Sequence, residues 1–528
     1  MNARERYNKL TSDRSQFLDT AVECSKLTLP YLISDDLSVK TSHKKLITPW
    51  QSVGAKAVVT LAAKLMLALL PPQTSFFKLQ VRDDKLGEEI PKEVKSDLDL
   101  SFSKMERMIM DYIAASSDRV VIHQALKHLI VGGNALIFMG KDGLKNFPLN
   151  RYVVNRDGNG NVLEIVTKEL ISRKVLGDEL PDPEPNNVAG GNSGSDGEDV
   201  EVYTYVKLDE KSGRWVWHQE AEDKIIANSR STAPKNASPW LVLRFNTVDG
   251  EDYGRGRVEE FIGDLRSMEG LSQALVEGSA AAAKVVFLVS PSSTTKPKTI
   301  ADAGNGAIVQ GRPDDVAVIQ VGKTADFQTA NQMVQLLERR IAEAFMQLNI
   351  RQSERTTAEE VRLTQMELEQ QLGGIFSLLT VEFLIPYLNR ILLVLQRNKT
   401  IPSIPKDLIQ PTIVAGVNAL GRGQDRESLA QFIMTISQTL GPEALMKFLN
   451  ASEAIKRLAA AQGIDILNLV KTEDEMAQEA EQQQQQMQQQ ALLEQAGQLA
   501  NSPMADPSKN DTLASMTQPI PTDQPPQE

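Results

Sequence analysis

The chain has 528 residues, 41% apolar and 24% charged, which is enough for more than one hydrophobic core. Its 57 Lys and Arg stand against 69 Asp and Glu, a net charge of -12, and this excludes a uniformly basic surface for tight, static binding of nucleic acid. The single cysteine, Cys24, excludes internal disulfides and cysteine-cluster zinc sites; it fits a reducing compartment and a small buried side chain.

The first twenty residues lack an apolar run of signal-peptide length. The greasiest stretches, 61–70, 125–140 and 280–289, are too short or carry Lys or His, whereas a membrane span needs about 20 apolar residues. No spanning segment and no membrane partner are therefore expected. The first helix that the spacing predicts is "TPWQSVGAKAVVTLAAKLMLALLPP". Thr48 would be its N-cap, Pro49 its first residue and Gln51 the capping-box partner, with Val53, Ala57, Leu61, Leu65 and Leu69 buried and Pro71 and Pro72 ending it. A second helix is expected from Ser103, boxed by Glu106, with Met105, Ile109 and Ile113 inward. A third runs from about Asp118 to Gly132 and Gly133, after which "NALIFMG" reads as a strand.

From about 147 to 248 the texture is antiparallel sheet. "YVVNRDGNGNVLEIVTKELI" and "VEVYTYVKLDEKSGRWVWHQE" each read as strand, turn, strand. The insert at 177–199 has too few apolar residues to offset its ordering entropy and is expected to be a surface excursion. Helical spacing returns with Val258, Phe261, Leu265, Met268 and Leu275, and again with Ala330, Val334, Leu337, Ile341, Ala344 and Leu348. Between these helices, 279–325 holds short β-branched runs broken by Pro and Gly.

"RTTAEEVRLTQMELEQQLGGIFS" (355–377) opens a long helix, and the N-cap and dipole account for Glu359 and Glu360 without any reaction. Continuous to Gln396, it would reach about 60 Å, with kinks expected at Gly373-Gly374 and Pro386. Further helices follow to about 470. A Gln-rich tract and a Pro-rich tail over 476–528 are read as polar and disordered.

No catalytic constellation emerges. "AVIQVGKT" (317–324) fits the loose phosphate-loop pattern, but Val318, Ile319 and Val321 look like a strand rather than a glycine-rich cradle, so a chance match is the preferred reading. His123 and His128 are five apart and share no metal-binding face, and ordinary surface or half-buried roles are expected for the histidines. "YGRGRVEEF" lacks the third glycine of a dinucleotide fingerprint, and the adjacent pairs Glu259/Glu260 and Asp314/Asp315 diverge. "NIRQSERTT" places Arg351 and Arg355 in a short connection between two long helices, with Arg362 beyond. Such a loop is commonly just solvated, unless an oligomer repeats it around an axis.

Seven blocks in order carry a resemblance: "TPWQSVGAKAVVTLAAKLMLAL", "MERMIMDYI", "YVVNRDGNGNVLEIVT", "DGEDYGRGRVEEFIGDLRSMEGL", "GRPDDV", "RTTAEEVRLTQMELEQQLGGIFS" and "LGRGQDRESL". Over about residues 40–470 the chain resembles the portal, or head-to-tail connector, proteins of short-tailed podovirus-type double-stranded-DNA bacteriophages. The 177–199 insert and the Gln-rich end depart from the pattern. The resemblance implies an α+β, predominantly helical fold with antiparallel β hairpins, assembling as a twelve-subunit ring.

On that analogy 1–250 is wing, 251–278 and 326–348 are the stem helices, 279–325 the clip, 349–356 the channel loop, 357–399 the long wing helix and 400–475 the crown. Implied partners are the terminase large subunit and then the tail adaptor at the clip, through Arg312, Asp314 and Asp315; capsid, scaffolding and internal core proteins; and duplex DNA in transit past Arg351, Arg355 and Arg362. The implied place is the capsid portal vertex of the virion, and host cytoplasm during assembly, with no cofactor and no enzymatic activity. The other readings are a nucleotide-dependent enzyme built on "VGKT" and a non-enzymatic assembly scaffold.

Overall fold

The computed structural model describes residues 2–34, 46–71, 76–81, 92–176, 199–282, 286–292, 296–304, 308, 310, 312–319, 324–346, 373–401, 409–412 and 431–439. Two compact units divide the chain, Met1–Leu420 and Gly421–Glu528. In the second, a helix spans 431–439, with Phe432 and Met434 exposed.

The first unit opens with a helix that sequence periodicity missed, α1 (Ala3–Leu27). Asn2 and Glu5 form its capping box, the Glu5 N–H donating to Asn2 Oδ1 at 2.8 Å and the Asn2 N–H to Glu5 Oε2 at 3.3 Å. Helix α2 (Val53–Leu69) buries Ala57, Leu61, Leu65 and Leu69, as the four-residue spacing requires; full burial of each Leu contributes about 1.5–3 kcal/mol. Its start differs from the reading. Thr48 and Pro49 lie outside the helix, because Glu269 accepts the Trp50 N–H at 2.9 Å and Gln51 caps Gly54, its Oε1 accepting that N–H at 2.8 Å.

Strand β1 (Lys78–Val81) precedes α3 (Lys92–Ala115). Ser103 is therefore inside a helix rather than at its cap. Glu106 is buried and accepts the Leu79 N–H of β1 at 2.7 Å. Helix α4 (Asp118–Gly132) ends in a left-handed Gly133 at φ +73°, whose N–H donates to Leu129 O at 2.9 Å.

Strands β2 (Asn134–Met139) and β3 (Leu144–Phe147) follow. Next come β4 (Tyr152–Arg156), β5 (Val162–Ser172), the single turn α5 (Arg173–Leu176), β6 (Asp199–Asp209), β7 (Arg214–Ala221), β8 (Lys224–Ile225) and β9 (Ser231–Pro234). These last strands make a six-stranded antiparallel sheet in the order β4-β5-β6-β7-β8, with β9 on β7. Strand β10 (Trp240–Arg244) leaves that sheet and pairs with β2, giving β10-β2-β3. Helix α1 lies against the larger sheet through Tyr7 and Leu10 on Val153, Val166 and Tyr203. Its buried Arg14 donates to Tyr152 O at 2.8 Å, Tyr7 Oη at 3.0 Å and Leu149 O at 3.1 Å.

The chain continues through α6 (Arg257–Glu260), α7 (Ile262–Ala282), β11 (Val286–Val289), α8 (Pro297–Ala301), β12 (Val316–Ile319), α9 (Thr324–Ala344) and α10 (Gly373–Arg397), and β13 (Ile409–Thr412) pairs with β1. A π turn, Thr380–Leu384, interrupts α10, the Ile385 N–H reaching Thr380 O. It sits just before Pro386, which has no N–H for an α-type bond, so one kink position read from sequence takes this form. Among the described residues α10 is the helix long and apolar enough to cross a membrane, with hydropathy 1.8 over its most apolar stretch; the sequence reading had not picked it out. Its apolar side is a core face, with Phe383, Leu384, Tyr387, Leu388, Ile391 and Leu395 all buried among the other helices.

Candidate assembly and docking site

Helices α7 and α9 pack on each other, and the chain between them forms the antiparallel pair β11–β12. Burial falls along the helix pair. Leu265, Met268, Leu337 and Ile341 are buried at its root, whereas Val276 and Leu336 are half exposed, as is Met333 at 46%. Leu288 on β11 is 51% exposed and Ile308 fully so. The two helices are held by Asp264–Arg340 at 3.1 Å and by Gly278, where a Cβ would come within 2.6 Å of the Phe327 ring.

A 3-10 turn, Pro313–Asp315, leads into β12. The Asp315 N–H donates to Arg312 O at 3.1 Å, and Asp315 O accepts the Ser290 N–H beyond β11 at 3.0 Å. Arg312 and Asp314 are exposed and Asp315 half-buried, so the structure brings these three to one end of the hairpin.

The root is braced by charge. The last carbonyls of a helix lack intrahelical donors, and two cations meet them here: Arg257 Nη2 donates to Ala344 O at 3.1 Å, and Lys64 Nζ donates to Met346 O. Burial lowers the Lys64 pKa. Met346, in the left-handed region at φ +55°, is buried, and the Phe345 ring lies 5.8 Å from that of Phe261. On α10, Glu382 accepts from Arg244 through its backbone N–H at 2.8 Å, Nε at 2.9 Å and Nη2 at 2.7 Å, with Arg156 Nη1 3.6 Å away. Burial outweighs the nearby carboxylate and lowers the Arg156 pKa. Sequence reasoning missed Lys64, Arg244, Arg257 and Glu382. A signal existed for two of them: Lys64 and Glu382 are single charges inside apolar runs.

Arg351, Arg355 and Arg362 lie outside the described residues. Ala317, Val318 and Ile319 of the loose phosphate-loop match are strand residues, while Gln320 to Lys323 are outside the described residues. Glu259 and Glu260 are occupied as ion-pair partners, with Arg255 and Arg257 at 2.6 Å each. The glycines of "YGRGR" serve close packing. Gly254 and Gly256 cross the end of α4, where a Cβ would lie 2.7 Å from Gly133 O and Val131 O respectively. His128 departs from the surface or half-buried reading. It is 3% exposed in the apolar side of α4, its Nδ1 has no partner among the described residues, and burial pushes its pKa down to about 4. Cys24 is buried as expected, its thiol pushed up to about 12 by desolvation. No group of metal ligands occurs among the described residues.

The sequence model of the bacteriophage head to tail connecting protein matches residues 1–467. The chain belongs to that family. This connector chain is 37% identical over 531 residues to the portal protein of Escherichia phage T7, covering 97% of both. It is 38% identical over 482 residues to the portal protein of Enterobacteria phage T3, covering 90% of the chain and 89% of the relative. The portal protein of Enterobacteria phage SP6 is 31% identical over 486 residues, at 90% and 91% coverage. A chain from the neck of an empty gene transfer agent particle overlays 79% of this connector and 90% of itself with 14% identity and TM-score 0.35, too loose to carry structural detail across.

Proposed function

We propose that this connector is the portal subunit of a short-tailed phage. Twelve copies close into a ring at one capsid vertex, and duplex DNA passes through it during packaging and ejection. The observation that carries the reading is the end-to-end likeness to podovirus portal proteins. Supporting it, the helix pair α7/α9 exposes Val276, Met333 and Leu336, which a single protomer does not cover; heterologous contacts around a ring bury such a face. The strand pair β11–β12 with Arg312, Asp314 and Asp315 is the clip, which the terminase large subunit meets first and the tail adaptor afterwards. Arg351, Arg355 and Arg362 line the channel and brake the moving duplex. Capsid, scaffolding and internal core proteins complete the set of partners.

The acidic balance suits a conduit. Each phosphate neutralised contributes about 0.9 to the salt slope of binding, so many cationic contacts would hold the genome where it has to slide. Electron microscopy of purified protein should show rings with a central hole wide enough for duplex; a monomer, or a ring with no such aperture, overturns the reading. Charge reversal at Arg351 and Arg355 should then alter packaging or retention of DNA, and normal packaging, retention and ejection would remove the brake.

A further inference from the structure

Among the described residues, positive charge gathers at the end of α10 without a neutralising partner. Arg390 is half-buried; its Nη1 reaches Ala237 O, at 3.4 Å, and its Nε is buried with no acceptor among the described residues. Arg397, two turns along, is exposed, as are Lys399 just past the helix end and Lys235 on the 3-10 turn Lys235–Ala237, against which α10 packs. Among the described residues no carboxylate pairs with any of the four, although Arg6, Arg156, Arg244, Arg255, Arg257 and Arg266 all have acidic partners. The helix dipole accounts for Arg397 and Lys399, but not for Arg390 in the helix interior or Lys235 on another element. Lys399 also holds a left-handed backbone, φ +57°, where glycine or asparagine is usual at a helix end. Burial and the nearby Arg397 both lower the Arg390 pKa, so the uncompensated charge there is held against its surroundings.

We propose that Arg397, Lys399 and Lys235, backed by the charge of Arg390, bind the phosphodiester oxygens of a nucleic-acid backbone. Arg390, whose Nε is buried, contributes its charge from beneath the exposed cations rather than a two-pronged contact. Arg390 and Arg397 are about 10 Å apart along the helix at 1.5 Å per residue, a length over which duplex presents about six phosphates at one per 1.7 Å. The proposal uses the portal reading only for where the chain meets duplex; the binding itself does not require a ring.

The test is fluorescence anisotropy of the full-length chain with a labelled duplex of mixed sequence, titrated across salt concentrations. Arg397→Glu with Lys399→Glu should weaken binding tenfold or more and lower the salt slope by about 2. The same charge change at exposed Lys9 and Lys211 should do neither. Lys399→Gly relieves the left-handed strain, so it should raise Tm while still weakening binding, a split that a purely structural lysine would not give. No binding by the unsubstituted chain, an equal loss in the Lys9/Lys211 pair, or Lys399→Gly binding unchanged would overturn the proposal. Unchanged duplex binding with loss of assembly in sedimentation would also overturn it, assigning the cluster to carboxylates of a neighbouring copy. A monomer whose duplex binding still depends on Arg397 would refute the ring and leave this site standing.

Discussion

The surroundings of Glu382 and the outer part of the α7/α9 pair are built on opposite terms. Glu382, Arg244 and Arg156 have side chains 12%, 10% and 3% exposed, and the carboxylate meets three donors of Arg244 and the guanidinium of Arg156 within a single chain. Met333, Leu336, Val276 and Leu288 instead leave about half their surface in water, a poor arrangement for apolar side chains in an isolated protomer. The comparison teaches that the chain satisfies the Glu382 charges with its own groups, whereas it leaves apolar side chains of the outer hairpin in water.

The largest expected effect breaks the closed side. Glu382→Ala leaves two largely buried guanidinium groups without their anion and should cost about 3–5 kcal/mol in urea unfolding, with Glu382→Gln costing less. A loss below about 1 kcal/mol would mean that water fills the role and the cluster is not the brace described.

A somewhat smaller effect is titratable. His128 has its folded-state pKa depressed from its ordinary 6.5 to about 4 by burial, so the folded protein holds it neutral. As pH falls below 6.5 the unfolded chain takes up the proton first. The stability contribution is therefore complete above pH 6.5 and is lost on acidification towards pH 4, at about 1.4 kcal/mol per pH unit and about 3 kcal/mol in all. His128→Leu should flatten that part of the stability profile, and an unchanged acid slope in the variant would count against the buried neutral imidazole.

The smallest effect on protomer stability, and the sharpest on assembly, is expected at the open side. Met333→Glu with Leu336→Glu should shift unfolding by no more than about 0.5 kcal/mol, since neither side chain is in the core. Sedimentation should nevertheless show the loss of higher-order species. Intact rings in this double variant would place the subunit interface elsewhere.

Much of the architecture was legible because local periodicity and burial coincide. Leu61, Leu65 and Leu69 repeat on one side of α2, and Asp157 to Gly160 turns β4 into β5. Legibility failed where tertiary partners took over a local role. Thr48, Pro49 and Gln51 spell a helix start, but Glu269 on α7 takes the Trp50 N–H and the helix waits until Val53. Ser103 and Glu106 spell another, yet Glu106 turns to the Leu79 N–H. Helix α1 was not read at all, because it is polar along most of its length and is held by the sheet it lies on, through Tyr7, Leu10 and Arg14. In the candidate site, the break at Pro313 between short strands was legible and the resemblance picked out Arg312, Asp314 and Asp315, whereas the cations bracing the root of α9 come from Lys64 and Arg257, far apart in the chain.

By itself the sequence determined the alternation of helices and antiparallel strands, the family to which the chain belongs, and the short strand run set between two amphipathic helices. The elements depend on side-chain order over a few turns, which local physics reads directly, whereas the family rests on the resemblance carried by seven ordered blocks. Only the tertiary structure decided which charges close on each other, that His128 is buried, and that Arg390, Arg397, Lys399 and Lys235 stand without anions among the described residues. The reason is that desolvation and ion pairing depend on what arrives from distant segments, and no spacing along the chain records that arrival.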